Sequence, residues 1–310
     1  MGASHFNASG LTSAQAAILQ SIATKLYIAS NPINGATRVA SIGFVDDFVF
    51  TGAGTTPQGI ARDGSGHMYC VDQGMSQVSR IVMATDLVDA IIPVGVGPWG
   101  AAWDNGAHMY ICNRGDGTVS RINIATALVD LTIGVGGGPI GVCWDGAAHM
   151  YTTNFADNTV SRILIATGAV DAPALAVGLS PIGIAWDGGA KLYVVNDGGN
   201  TVSRIDIATF LVDLVIPVGA APWQVAWDGA AHMYVTNGAA TVSRILIATG
   251  VVDKTIAITA AGHGIVWDGH EHMWVSGAGG NIERIRIATG LQDLLITAPG
   301  ANWDIAWNGI

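Results

Sequence analysis

Short apolar segments follow one another along most of the chain, separated by glycine-rich or polar residues. In many of them apolar and polar residues alternate, as in TVSRILI at 241–247 and VVDKTIAI at 251–258. Alternation with a period of two is typical of β-strands that bury one face. The pattern therefore predicts an all-β fold made of many short strands.

The strands recur as a unit of about 41 residues, for which residues 223–258 serve as the example. This unit predicts four strands, at 223–228, 232–236, 241–247 and 251–258, with a tight turn at Asp228-Gly229. Two sequence features recur with the same period as the unit. Trp-Asp or a near equivalent begins at residues 62, 103, 144, 186, 227, 267 and 307, and arginines stand at 38, 80, 121, 162, 204, 244 and 284. Four antiparallel strands per repeat are typical of a β-propeller blade.

The N-terminal and C-terminal segments each contain part of one repeat, and together they make up one. Residues 25–43 (KLYIASNPINGATRVASIG) align with 191–209 (KLYVVNDGGNTVSRIDIAT), so they begin in the middle of a repeat. The missing first strand is found at 302–310 (NWDIAWNGI). We therefore expect one split blade, formed by 25–54 and 301–310. Residues 25–310 then predict a seven-bladed β-propeller of four-stranded blades, closed by a C-terminal strand that joins the N-terminal blade and leaves no open edge.

Residues 1–24 lie outside the repeats. After a small polar arm, Thr12 and Gln15 form a capping-box pattern, and the apolar residues that follow fall on one helical face. They predict a short amphipathic helix at about 13–24, which either packs on the propeller or docks to an assembly partner. Because no basic region precedes an apolar core, we expect no secretory signal. No stretch is long and apolar enough for membrane insertion. The sequence leaves the localisation open and favours a cytoplasmic or virion-associated protein over a secreted one.

Charge and cysteine usage narrow the classes of function. The net charge is −10, from 13 basic and 23 acidic residues, and most arginines occupy the repeated position. Too little basic charge remains for a nucleic-acid surface. We expect the repeated arginines to pair with aspartates that recur on the same period, at 89, 130, 171, 213, 253 and 293. Cys70, Cys112 and Cys143 lie in apolar strands without metal-ligand spacing, which predicts buried free thiols.

Metal ligation has three candidate sources, and each has a structural alternative. The first is the set of histidines that precede Met at 67, 108, 149, 232 and 272, which we expect to be solvated at turn edges. The second is the His270-Glu271-His272 cluster, where alternate residues of a strand face opposite ways. The third is Asp116, Asp157 and Asp197, in loops without EF-hand spacing. We therefore expect no bound metal and no cofactor.

One position differs from repeat to repeat although its surroundings are repeated. It follows the proline, or its equivalent, that begins each first strand, where the sequence has Ile140, Ile182 and five residues that we take as ligand-binding candidates: Gln58, Trp99, Trp223, His263 and Asn302. In a propeller these residues and the loops between second and third strands share the face around the central channel. Aromatic side chains beside a few polar groups suit the recognition of a peptide or a sugar. The alternative is that both tryptophans pack between blades.

Two resemblances bear on function. The unit PWQVAWDGAAHMYVTNGAATVSRILIATG, which contains Tyr-Val-Thr-Asn at 234–237, resembles the YVTN-type propeller repeats, relatives of the NHL repeats, over residues 25–310. This resemblance implies a propeller fold and leaves function open, because such propellers bind proteins, peptides, glycans and small molecules.

The Pro-x-Gly-Ile and Ser-Arg-Ile elements also resemble the streptogramin B lyases, which implies a metal held by His and Glu near the axis. His263 would suit that role, but Gly277 stands where the lyases carry a Glu, and neither Glu271 nor Glu283 matches. We therefore expect a non-catalytic binding or structural module that presents one loop face to a protein or glycan, with membership of a virion or surface assembly as one hypothesis. The alternative is a lyase- or hydrolase-type enzyme at the channel mouth, with His263 as its base.

Overall fold

The computed structural model describes residues 26–31, 38–41, 56–85, 87–297 and 301–307. In this part of the chain β-strands alternate with turns, and two short 3₁₀ turns are present at Asp197–Gly199 and Ala278–Gly280. The described residues include no α-helix, and accordingly none that would be long and apolar enough to cross a membrane.

Six four-stranded antiparallel blades follow one another between Pro57 and Thr297. Each runs outward from the axis in chain order, so that its first strand is innermost and its last is outermost. The first three blades are β3 (Pro57–Arg62), β4 (His67–Asp72), β5 (Gln77–Val82) and β6 (Leu87–Pro93); β7 (Pro98–Trp103), β8 (His108–Asn113), β9 (Thr118–Asn123) and β10 (Leu128–Gly134); and β11 (Pro139–Trp144), β12 (His149–Asn154), β13 (Thr159–Leu164), β14 (Ala169–Val170) and β15 (Leu175–Ala176). The outer strand of the third blade is broken in two, since β14 and β15 both pair with β13.

The next three blades have unbroken outer strands. They are β16 (Pro181–Trp186), β17 (Lys191–Asn196), β18 (Thr201–Asp206) and β19 (Leu211–Pro217); β20 (Pro222–Trp227), β21 (His232–Asn237), β22 (Thr241–Leu246) and β23 (Val251–Ala257); and β24 (Gly262–Trp267), β25 (His272–Gly277), β26 (Asn281–Arg286) and β27 (Leu291–Thr297).

A three-stranded sheet joins the two ends of the chain. It consists of β2 (Arg38–Ser41), β1 (Leu26–Asn31) and β28 (Ala301–Trp307), in that order. The expected pairing of a C-terminal strand with the N-terminal segment is observed, because β28 runs antiparallel to β1 with Leu26 opposite Trp307. β28 also packs between β24 of the sixth blade and β3 of the first. The ring is thus closed by a sheet assembled from both ends of the chain.

The prediction of seven four-stranded blades and an N-terminal helix is wrong. The described residues form six four-stranded blades, and the closing sheet has three strands. The rest of the predicted split blade, 42–54, and the helix predicted at about 13–24 lie outside the described residues. The physical reason is that the repeat's landmarks fix the inner strands, whereas an outermost strand has only one hydrogen-bonded neighbour and weaker constraints on its sequence.

The hydrophobic core lies between neighbouring blades. The second strand of each four-stranded blade is almost fully buried, while the outer strand alternates between exposed and half-buried residues. Between the fourth and fifth blades, for example, Tyr193 and Val195 pack with Val225 and Met233. Burying one such side chain contributes roughly 1.5–3 kcal/mol. This packing holds the blades side by side and leaves the inner strands around a central channel.

Candidate functional site

The turns between first and second strands lie at one end of the propeller, which we call the turn face. In the second blade, Asp104 closes this turn: its N–H donates to the carbonyl of His108 at 3.1 Å, and its Oδ1 accepts from the N–H groups of Gly106 (2.8 Å) and His108 (3.1 Å). The next residue is left-handed, with φ 56° at Asn105 and 76° at the equivalent Gly229. The turn thus accounts for an Asp followed by Gly or Asn, the residues that adopt the left-handed conformation most readily.

The turns at Gly64, Gly146, Gly188 and Gly229 are also covered by the blade that follows. A Cβ at Gly229 would overlap the ring of Trp267 in the next blade, and one at Gly64 would overlap that of Trp103. The indole N–H of Trp267 donates in turn to the carbonyl of His270 at 3.3 Å. The first blade differs, because Arg62 occupies the position of the tryptophan. The contact of a tryptophan ring with the turn glycine of the preceding blade is therefore a repeated contact between blades.

A chain of charged groups extends outward from the turn. In the fifth blade, Asp228 Oδ2 lies 3.1 Å from His232 Nδ1, and His232 Nε2 lies 3.6 Å from Asp253 Oδ2. Asp253 accepts two bonds from Arg244, at 2.9 and 2.8 Å, which lower the pKa of its carboxyl group. The same arrangement is present in four more blades: Asp63, His67, Asp89 and Arg80; Asp104, His108, Asp130 and Arg121; Asp145, His149, Asp171 and Arg162; and Asp268, His272, Asp293 and Arg284.

These chains confirm the expected Arg–Asp pairs and correct the expectation about the histidines. The histidine side chains are not largely solvated: that of His232 is 19% exposed, and both of its ring nitrogens face carboxylates. In the fourth blade Lys191 replaces the histidine and lies 2.6 Å from Asp213 and 2.7 Å from Asp206. A histidine between two aspartates can serve catalysis, but five copies and one lysine substitute indicate a structural role.

The other candidate metal ligands are engaged elsewhere. Glu271 pairs with Arg286 at 3.2 Å, and His272 belongs to the turn-face chain. Asp116 and Asp157 each accept a backbone N–H from the loop that precedes the first strand of their own blade, at 2.5 and 2.6 Å. Over the part of the chain that the structure describes, no group of three or more His, Cys, Asp or Glu side chains is placed to hold a metal ion.

The opposite end of the propeller, which we call the mouth face, carries the loops between second and third strands and those between blades. It surrounds a central channel lined by the inner strands, in which about 60 Å³ is open to the centres of water molecules. Since one water needs roughly 10–15 Å³ of such space, the channel has room for a few waters or a very small ligand. Four predicted ligand residues line it together: Gln58, Trp99, Trp223 and His263. Ile140 and Ile182 fill the same position in the third and fourth blades.

The fifth predicted residue, Asn302, occupies a different position from the other four. Trp99, Trp223 and His263 each stand four residues before the tryptophan that ends their strand, and four residues before Trp307 is Trp303. Asn302 lies opposite Ser30 in the register, as Pro57 lies opposite Asp72 in the first blade. The structure describes the backbone of Asn302 and Trp303 but not their side chains.

Asp304 is a channel residue that the sequence reasoning missed. The position after the variable one is glycine in five inner strands, where a Cβ would collide with the neighbouring strand; at Gly59 and Gly100 it would meet the carbonyl oxygens of Trp99 and Ile140. In β28 this position is Asp304, whose Oδ2 accepts the N–H of Ile60 at 3.1 Å and whose Oδ1 accepts that of Ile305 at 2.8 Å. Burial raises the pKa of this carboxyl group to about 7. The sequence signal that could have identified Asp304 is that it stands where five inner strands have glycine.

Aromatic and apolar side chains gather on the mouth face. The guanidinium carbon of Arg114 lies 4.9 Å from the ring centre of Trp99 and 5.2 Å from that of Phe155. The rings of Trp223 and His263, which lie on neighbouring inner strands and also line the channel, are 5.5 Å apart. Both tryptophans are half-buried, so they pack against neighbours and still border the mouth. Around them Met75, Val96 and Leu179 are 55%, 58% and 59% exposed.

Comparison with known proteins establishes the fold and no more. No protein-family model and no curated protein matches this chain. Among solved structures, hydrazine synthase of Kuenenia stuttgartiensis is similar, with 19% sequence identity and a TM-score of 0.67 over 74% of this chain and 76% of that chain. At this level of identity the likeness carries structure and not activity. The chain is a β-propeller built from sequence repeats, and its function has to be argued from its own surface.

Proposed function

We propose that this β-propeller is a non-catalytic binding module, of the YVTN type its repeats resemble, whose mouth face holds a protein partner. The observation that supports it most is the contrast between the two faces: five blades repeat one Asp–His–Asp–Arg chain on the turn face, while the equivalent mouth position of the six blades carries four residue types, Gln, Trp, Ile and His. Exposed apolar residues beside Trp and Arg are typical of interface centres. Such a module would serve as one component of a larger assembly.

A protein partner fits this face better than a glycan. Sugar recognition relies on an open aromatic face, and the ring of Trp99 already contacts Arg114 while that of Trp223 contacts His263. Met75, Val96 and Leu179 add apolar area without hydrogen-bonding groups for sugar hydroxyls. Burying such area favours association with another apolar surface.

The enzymatic alternative has less support. The lyase resemblance implies a metal, and the described residues place no three ligating side chains together. His263 lines the channel against Trp223. The carboxylate of Asp304, which lines the same channel, is held by two backbone N–H groups.

The test compares two sets of exposed apolar residues. The mouth variant replaces Met75, Val96 and Leu179 with Asp. The control replaces Leu87, Leu128 and Leu211, which are 64%, 63% and 59% exposed on outer strands, in the same way. Both variants change the net charge by the same amount. Immobilised protein of each form would be incubated with the lysate of its source cells, and retained proteins quantified by mass spectrometry.

We expect a defined protein that wild type and the outer-strand control retain and the mouth variant loses at least tenfold. That protein, once purified, should bind wild type with the same dependence on the three residues. Equal retention by the mouth variant would contradict the proposal, and so would a retained oligosaccharide whose binding depends on Trp99 and Trp223 but not on Met75, Val96 and Leu179.

A further inference from the structure

The channel contains a carboxylate that the repeat does not require. Asp304 replaces the glycine found at Gly59, Gly100, Gly141, Gly183 and Gly264, a position where the inner strands approach closely. It is half-buried at the channel and closes no turn between first and second strands as Asp104 and Asp228 do. A charge placed there needs a separate physical explanation.

No cation compensates this carboxylate within the described residues. Its two oxygens accept one backbone N–H each, from Ile60 and Ile305, which leaves each with acceptor capacity. Among titratable groups, His263 lines the same channel from β24, and the pKa of the Cys70 thiol is raised by burial and by the charges of Asp72 and Asp304. Transfer of an unpaired carboxylate out of water is costly, and this cost is reflected in its raised pKa.

A second channel group also lacks a partner. Gln58 is 8% exposed and lines the channel, and its Oε1 accepts no hydrogen bond. Its Nε2 donates to Gln73 Oε1 at 3.3 Å, so the amide has an orientation. The other channel glutamine, Gln224, differs because its Oε1 accepts the N–H of Val225 at 3.2 Å. A buried acceptor without a donor destabilises the folded state, and a bound donor would remove that cost.

The walls of the channel favour a cation. Trp99 and Trp223 border it, and indole rings attract cations through their quadrupole. The net charge of −10 acts in the same direction. A divalent metal fits less well, since calcium takes about 6–8 oxygen ligands and the described residues hold no three acidic, His or Cys groups together.

From this geometry we propose that the central channel is a binding site for a primary ammonium group, which donates hydrogen bonds to the carboxylate of Asp304 and to Oε1 of Gln58. The cavity, with about 60 Å³ for water centres, admits a group of that size in place of a few waters. The group comes either from a small free amine or from a lysine side chain that enters at the mouth. This site is independent of whether a protein occupies the mouth face.

The experiment measures binding of methylammonium, for a free amine, and of Nα-acetyl-lysine-N-methylamide, for a lysine side chain. Calorimetric titrations at pH 8.5 would use wild type, Asp304→Asn, Gln58→Met and the control Asp197→Asn. The control removes the same charge from a mouth-face loop residue outside the channel lining. We expect saturable binding to wild type and control, a loss of at least tenfold in Asp304→Asn, and a smaller loss in Gln58→Met. The tighter of the two ligands identifies the source.

A measurement on wild type alone covers the case in which a channel variant does not fold. The Asp304 carboxyl carbon would be titrated by NMR with and without ligand; binding of ammonium should shift its titration to lower pH, and affinity should fall between pH 8.5 and 5.5. Absence of saturable binding, equal binding by Asp304→Asn, or Asp304-dependent binding of potassium or calcium in preference to both amines would overturn the proposal.

Discussion

The turn face and the mouth face are built from the same repeat but differ in how far the blades agree. On the turn face Asp228, His232, Asp253 and Arg244 have counterparts at matching positions in four other blades. On the mouth face the residue at the equivalent inner-strand position changes between Gln, Trp, Ile and His. Both faces carry polar and aromatic groups, so residue type alone does not separate scaffold from site. The degree of repetition does.

The reason lies in what each end must do. Four of the turns, at Gly64, Gly146, Gly188 and Gly229, are covered by a tryptophan of the next blade. Residues of these turns must fit both their own blade and the next one, so a substitution there disturbs the packing between blades. A side chain at the channel mouth faces solvent on one side and meets fewer such demands. Variation among repeats therefore locates the binding surface better than any single aromatic or charged residue.

The largest effect is expected at the seam on which both faces depend. Removal of residues 301–310 deletes β28, its ladder with β1, the buried Ile305, and Ala306, which packs with the first blade. We expect a loss of more than about 5 kcal/mol, since two buried side chains, a strand ladder and ring closure are lost together. Thermal denaturation followed by circular dichroism would show it. An unchanged midpoint would mean that the faces are held without the closing sheet.

A single aspartate on each face gives the next largest difference. Asp228, 3% exposed, accepts the N–H groups of Ala230 and His232 and contacts His232 Nδ1. Asp228→Ala leaves these donors unpaired and should cost about 2–4 kcal/mol. The exposed Asp116 accepts one N–H, from Val96, and Asp116→Ala should cost less than about 1.5 kcal/mol. Urea unfolding of both variants measures the difference, and equal losses would remove the distinction between the faces.

The pH dependence of stability should have opposite slopes for the two regions. Arg244 lowers the pKa of Asp253, so this pair stabilises the fold above the ordinary carboxyl pKa and the contribution is lost as the pH falls below about 4. The pKa of Asp304 is raised from 3.8 to about 7. The folded state therefore holds this proton more tightly than the unfolded state, and the free energy of unfolding should decrease as the pH rises from about 4 to about 7.

Asp304→Asn separates the two slopes. It should flatten the decrease between pH 4 and 7 and leave the loss in acid unchanged, because the Arg–Asp pairs are intact. Unfolding free energies at one-unit pH intervals would show this. A decrease of the same slope in the variant would assign the dependence to other groups.

The smallest effect on folding is expected for Arg114→Ala on the mouth face. The guanidinium contacts the rings of Trp99 and Phe155 and has no carboxylate partner among the described residues. Each cation–π contact at a partly exposed site contributes about 0.5–1 kcal/mol, so the loss of stability should stay below about 2 kcal/mol while binding of a partner weakens more. A larger loss of stability, measured in urea, would make Arg114 part of the scaffold.

The sequence predicted the repeat well because its landmarks have obligatory partners. Arg244 and Asp253 recur at a fixed separation, and the structure pairs them across one strand ladder. The exposure of the histidines was predicted wrongly because it depends on two aspartates. For His232 one of them, Asp228, lies across the turn, and the other, Asp253, lies two strands away, and residue spacing does not reveal such contacts. Among the described residues the closing sheet has three strands and not the expected four, and its outer strand is the part that the repeat predicts least well, because an outer strand is under fewer constraints than the inner strands that set the period.

The candidate site was located in part. Gln58, Trp99, Trp223 and His263 line one channel because they occupy the same position on successive inner strands. Asp304 was missed because aligning NWDIAWNGI one residue out of step hid its substitution for glycine. The unpaired oxygen of Gln58 and the ring contacts of Arg114 depend on side-chain orientation, which no spacing rule supplies.

Arg62 makes the contact between the closing sheet and the first blade different from four contacts between other blades. At Gly64, Gly146, Gly188 and Gly229 an indole of the next blade lies over the turn, whereas the first blade has an exposed arginine at the tryptophan position, and here β28 meets β3. In a circular array of otherwise similar couplings, the weakest coupling decides where the circle opens first. Hydrogen exchange should therefore begin at β28 and β3 and spread to the blades on either side. Once the contact between these two strands is broken, the protein should unfold like a linear array of blades.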